Sequence, residues 1–232
     1  MEVHLCPKRA TKALLLVVGL LLSANILAIV FRYLPDTLLT SAFQLFDFNS
    51  ENSFPTLYSF VILLLAAILL FLVGMLTRKQ GRRSRGWFVL ALVFVFLAID
   101  ESLMIHEALM VPVRESLSAT GLFYYAWIVP YSLLLLLLVF SLFPFILNLP
   151  SDTRRNFFLA GFIFVTGAVG VEALAGWHVT ATGDDNLVYE VLYTIEELLE
   201  MVGIVLFIYA LLNHIGRYTH LATIIVGQKQ TE

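Results

Sequence analysis

Six apolar runs of about twenty residues divide this chain, each long enough to cross ~30 Å of hydrocarbon at ~1.5 Å per helical residue. They lie at Ala13 to Tyr33, Thr56 to Leu76, Trp87 to His106, Leu122 to Ile146, Phe157 to Trp177 and Leu187 to Leu212. Backbone polar groups in lipid must be paired within a helix or around a closed barrel, and no apolar/polar alternation supports a barrel. The expected fold is an all-α polytopic bundle of six transmembrane helices. A chain that is 60% hydrophobic and 13% charged also falls outside the range of ordinary soluble domains. No internal repeat or low-complexity linker interrupts it, so residues 1–232 are expected to form a single integral membrane domain.

Lys8, Arg9 and Lys12 precede the first run as in a signal peptide. That run is too long for a signal core and lacks a small-residue cleavage pattern, which predicts a retained helix. Cys6 is the only cysteine, which rules out an intrachain disulfide.

Orientation is read from the basic residues, because cytoplasmic loops retain Lys and Arg. Lys8, Arg9, Lys12, Arg78, Lys79, Arg82, Arg83, Arg85, Arg154, Arg155, Arg217 and Lys229 all fall on one side, leaving only Arg32 and Arg114 on the other. The alternation predicts a plasma or inner-membrane protein with both termini cytoplasmic. The bilayer is its expected partner, and a net charge of −3 points to no nucleic acid. Between the first two runs, Leu38, Leu39, Phe43, Leu45, Phe46 and Phe48 suit a short amphipathic segment along the outer interface, acting as a lid or anchor. Tyr124, Tyr125 and Trp127 read as an interfacial aromatic belt.

Acidic residues and histidines interrupt the apolar pattern at one level. The third run ends in Asp100, Glu101, His106 and Glu107; the fifth carries Glu172, with His178 near its end; the sixth carries Glu196, Glu197 and Glu200. With the spans oriented by their basic flanks, these groups fall in the same outer layer. An ionised carboxylate in hydrocarbon costs at least ~2.5 kcal/mol on insertion scales, so the groups are expected to face the bundle interior or a hydrated cavity. On an ideal helix Asp100 and Glu107 share a face, while His106 lies ~120° away from Asp100. Pro130 is expected to bend the fourth span at this level and open space beside it. Glu190 reads as a solvated helix end, and His4, His214 and His220 as surface residues of the cytoplasmic side.

No Lys or Arg lies within the cores of the runs to neutralise these acids, with only Arg32 and Arg114 nearby at the rim, which leaves protonation, shared protons or a bound cation. Histidine with several carboxylates suits a divalent transition metal, Zn, Fe or Mn. The expected ligands are Asp100, His106, Glu107, Glu172, His178, Glu197 and Glu200, with Glu101 and Glu196 left as candidate general bases. The Glu-x-x-His pairs of di-iron bundles are absent, since Leu103 and Ala175 occupy the histidine positions. The expected function is a metal-dependent membrane enzyme, hydrolase or oxidoreductase, acting on a lipid or other amphiphile. A proton- or cation-coupled transporter and an assembly or scaffold subunit are the alternatives. The apolar inner halves of the spans and the lack of a repeated half weigh against transport.

Overall fold

Each apolar run closes its backbone hydrogen bonds within a helix, and local chemistry sets where most helices start and stop. The computed structural model describes residues 6–33, 42–50 and 52–228, with residues 218–228 by backbone alone. The described residues are helical throughout apart from turns, and six helices are long and apolar enough to span a membrane. Leu38 and Leu39 of the expected interfacial segment, together with His4 and Lys229, lie outside the described residues.

Helix α1 covers Pro7–Arg32 and α2 covers Phe54–Lys79. Ser53 caps α2 by accepting the Thr56 N–H, and Pro55 sits in the first turn, where no backbone partner is lost. Gly81, at φ 71°, ends α2: its N–H reaches the Arg78 carbonyl while Arg82 N–H reaches Thr77. This Schellman turn folds α3 (Arg85–Leu103) back along α2 to form the most extensive helix pair. The short α4 (Ile105–Leu117) follows, then α5 (Ile128–Leu147). The next span runs continuously over Ser151–Thr182 as α6 (Ser151–Val165), a π turn (Thr166–Val171) and α7 (Glu172–Thr182). The last helix, α8, covers Leu187–Gln228.

Packing is centred on α8, which touches α1, α2, α6, the π turn and α7. Its Met201, Ile204, Val205, Ile208 and Leu211 are fully buried at the heart of the core. Gly167 and Gly203 let α8 cross the fifth span closely. A Cβ on Gly167 would lie 2.7 Å from the Glu196 carbonyl oxygen, and one on Gly203 would lie 2.8 Å from the Phe164 nitrogen.

Helix α5 is the exception to this packing. It shares no extended face with another helix, and Leu137 and Phe140 on its length are among the most exposed apolar side chains. It is held at its two ends. Phe145 packs on Gly86 so tightly that no Cβ fits there, and its ring stands edge-on to Trp87 at 5.1 Å. At the other end Tyr131, with Trp127 just before the helix, bonds to carboxylates of neighbouring spans.

Several boundaries move from their expected places. The third span ends at Leu103 rather than His106, and the fourth starts at Ile128 rather than Leu122. Pro130 therefore lies in the first turn of α5, where it removes no helical hydrogen bond and does not bend the span. At the end of the segment Phe43 to Phe48, Asp47 and Phe48 are buried in the bundle, with the Phe48 N–H donating to Asn25, while Leu45 is exposed.

Candidate functional site

The site begins with a break. Met104 adopts a left-handed conformation, φ 54° and ψ 41°, which ends α3 and starts α4 in a new direction. Asp100 stabilises the new start: its Oδ1 accepts the His106 N–H at 3.0 Å, the role of an N-capping side chain. The carboxylate thereby sits at the positive end of the α4 dipole. Its Oδ2 lies 3.0 Å from His106 Nδ1, and Tyr131 donates its hydroxyl to Oδ1 at 2.7 Å. The expected ~120° separation of Asp100 and His106 assumed an unbroken helix, and the turn at Met104 removes that assumption. With both oxygens engaged, Asp100 orients His106 and Tyr131.

Glu172 opens α7 immediately after the π turn. Trp127 donates its indole N–H to Glu172 Oε1 at 2.8 Å. The Trp127 ring lies 5.1 Å from those of both His106 and Tyr131, joining the two carboxylates through one aromatic surface. Glu196, Glu197 and Glu200 of α8 line the same cavity as Glu172.

These groups line one cavity of about 710 Å³. Its wall includes Asp100, Glu101, His106, Glu107, Glu172, Glu196, Glu197 and Glu200, interleaved with Tyr125, Trp127, Tyr131, Tyr189 and Tyr193. Beyond this polar chamber the lining is apolar and follows the gap between α5 and the rest of the bundle, with Leu97, Leu135, Leu138, Phe164, Ile204 and Phe207 on it. Phe157 and Phe207, their rings tilted at 4.4 Å from each other, are also on its lining. Tyr125 donates to the Tyr189 hydroxyl at 3.0 Å, and burial with this contact raises its hydroxyl pKa, so it stays a proton donor.

Among the described residues no Lys or Arg lines the cavity. The two arginines at this end of the bundle are engaged elsewhere. Arg32 bridges Asp47 and Glu190, the latter at 3.1 Å, and Arg114 stacks 4.4 Å over the Tyr124 ring. Glu190 is thus a buried ion-pair partner, 2% exposed, and not a solvated helix end. His214 is also buried, bonded to Thr153 at 3.1 Å and packed 4.9 Å from the Trp87 ring, which corrects its reading as a surface residue.

His178 does not join the cavity. Its Nε2 lies 2.7 Å from Asn186 Oδ1 and 3.0 Å from the Thr182 hydroxyl, tying α7 to the turn before α8. Among the described residues no three His, Cys, Asp or Glu side chains converge closely enough to hold a metal ion. The metal expectation therefore rests on donor types and not on their placement. The aromatic partners of the carboxylates, Trp127 above all, are what residue type alone did not reveal: a Trp at a span end reads equally well as interfacial.

No curated protein and no solved structure matches the chain. A family described as Domain of unknown function (DUF8692) matches residues 13–215, almost the whole span-bearing region, and the chain belongs to that family.

Proposed function

We propose that this protein is a membrane enzyme that draws an amphiphile from the bilayer into the cavity and performs proton-transfer chemistry on its head group. The observation that carries the reading is the continuity of the cavity: a chamber of carboxylates, histidine and tyrosines opens directly into an apolar channel beside α5. A volume of about 710 Å³ lies within the ~300–1,000 Å³ usual for small-molecule sites. In the chamber the Asp100–His106 pair supplies an imidazole oriented by a carboxylate, the usual construction of a general base. Glu172 and Glu196 add two further carboxylates to the wall of the same chamber. In this reading both termini are cytoplasmic and the chamber lies toward the opposite face, in keeping with the distribution of Lys and Arg.

A second reading puts a divalent transition metal in the chamber. One observation favours it: a carboxylate on Nδ1 is the common support of a metal-bound imidazole, and it turns Nε2 of His106 away from Asp100. A transporter would require a polar route along the whole bundle, whereas the lining beyond the chamber is apolar.

The test is reconstitution of the purified protein in bilayers made from the total lipid extract of its host, followed over time by lipid mass spectrometry. One lipid class should be consumed with wild-type protein and spared with His106→Ala and Glu196→Gln. Identical lipid profiles for all three proteins would remove the enzyme reading. Metal analysis of the same preparations tests the second reading, which requires stoichiometric metal in the wild type and its loss in His106→Ala.

A further inference from the structure

A second pocket opens at the end of the bundle away from the chamber, where the N-terminal turns of α6 meet α8 near Arg217, and we propose that it binds the head group of an anionic phospholipid. It holds about 220 Å³ and is walled by Asp152, Arg155 and Asn156 of α6 and by Tyr209, Asn213 and Arg217 of α8. Two guanidinium groups thus stand against one carboxylate, and that carboxylate is already bound to Arg217. Arg155 is the charge in excess. The backbone adds to its field: Pro150 precedes α6 without a capping side chain, which leaves the first-turn N–H groups uncapped at the positive end of the helix dipole. The carboxamides of Asn156 and Asn213 bring further polar atoms to the wall. A phosphodiester, with one negative charge and several acceptor oxygens, matches this set, since the planar fork of an arginine pairs with two phosphate oxygens at once.

Position favours a lipid phosphate over a free one. Arg155, Phe158, Leu159 and Phe162 recur at the spacing of one helix face, and the three apolar side chains are 49%, 51% and 72% exposed. In a membrane span such side chains belong in hydrocarbon, so Arg155 marks the level where the face changes from charged to apolar, the level of the lipid phosphates. A bound lipid would place its phosphate in the pocket and its chains along Leu159 and Phe162. The start of α3 lies at the same end, because Trp87 packs on Phe157 and His214. Arg78, Lys79, Arg82, Arg83 and Arg85, around the turn from α2 to α3, therefore add to the positive field there. In the orientation proposed above this is the cytoplasmic side, whose leaflet carries the anionic lipids that basic pockets between spans take up.

The experiment mixes purified full-length protein in a non-ionic detergent with phosphatidylglycerol or phosphatidylcholine of identical chains and reads bound lipid by native mass spectrometry. Phosphatidylglycerol should bind about tenfold more tightly. Arg155→Gln, at an exposed position, should lower its affinity about fivefold and leave phosphatidylcholine unchanged, whereas Asp152→Asn, which removes the carboxylate from the wall, should raise it about threefold. Arg83→Gln, at the same end but outside the pocket, should change it little; a loss equal to that of Arg155→Gln would overturn the site in favour of diffuse attraction. Equal binding of the two lipids by the wild type would overturn the proposal. Binding of inorganic phosphate that displaces phosphatidylglycerol would overturn the lipid assignment in favour of a free anion. Leu159→Trp gives a readout that does not depend on replacing Arg155. In vesicles, its added emission should be quenched more by chain-brominated phosphatidylglycerol than by brominated phosphatidylcholine at equal mole fraction, and equal quenching would also overturn the site.

Discussion

Glu190 and Glu196 stand six residues apart on α8, ~9 Å along its axis and ~240° around it, and they meet opposite environments. Glu190 faces Arg32, which also bonds Asp47, while Tyr193 donates to Asp47 at 3.1 Å and Asn25 fastens the adjoining Phe48 N–H. Every charge in that set has a partner of opposite sign. Glu196 lines a cavity together with Glu172, Glu197 and Glu200, and no Lys or Arg lines it among the described residues. Two acidic sets at one end of one helix thus differ in whether an arginine stands among them. The paired set closes the structure by drawing residues 42–50 into the bundle, whereas the other lines an open cavity.

The difference can be broken most severely at Arg32. Arg32→Leu leaves two buried carboxylates without their cation and should cost about 3 kcal/mol, seen as a lower unfolding midpoint by circular dichroism in detergent. An unchanged midpoint would show that the ion pairs do not hold the segment in place. Asn25→Leu, at a fully buried position joining Phe48 and Thr194, should cost about 2 kcal/mol through the orphaned Phe48 N–H. Amide exchange at Phe48 should rise in parallel.

Smaller effects belong to the cavity side. Tyr131→Phe removes one bond to Asp100 and should cost about 1 kcal/mol, and a larger loss would mean that this contact fastens α5 as a whole. Glu196→Gln should move stability least, within about 0.5 kcal/mol of wild type or slightly upward, because it removes one of several acidic side chains that line the same cavity. A fall as large as that of Arg32→Leu would show that the two acidic sets are built alike, and the comparison would fail.

The six spans were legible because length and hydropathy report directly on ~30 Å of lipid. The gathering of acidic residues from the third, fifth and sixth runs on one cavity wall followed from their positions along those runs. Their partners were not legible. Ile99 to His106 contains no Gly or Pro, so nothing local announces the left-handed Met104, which is held by the cap that Asp100 gives to α4. That one residue decides whether Asp100 and His106 meet. Arg32 and Asp47 are separated by a segment whose charges look like those of an ordinary loop, and only tertiary packing turns Asp47 inward. His214 lies two residues beyond the last apolar run, where a residue reads as part of the cytoplasmic surface, yet Trp87 and Thr153 cover it.

The π turn at Thr166–Val171 has a consequence for how this span tolerates change in length. A π turn holds one residue more than an α-helical turn needs, so the helix beyond it stands where an unbroken α-helix one residue shorter would put it. Glu172 is the first residue beyond. A single-residue deletion within the turn would restore regular helix and leave Glu172 beside Trp127, whereas the same deletion in the regular helix before it would turn Glu172 by ~100° away from that partner. This span therefore tolerates the loss of one residue at one place along its length and not at the others.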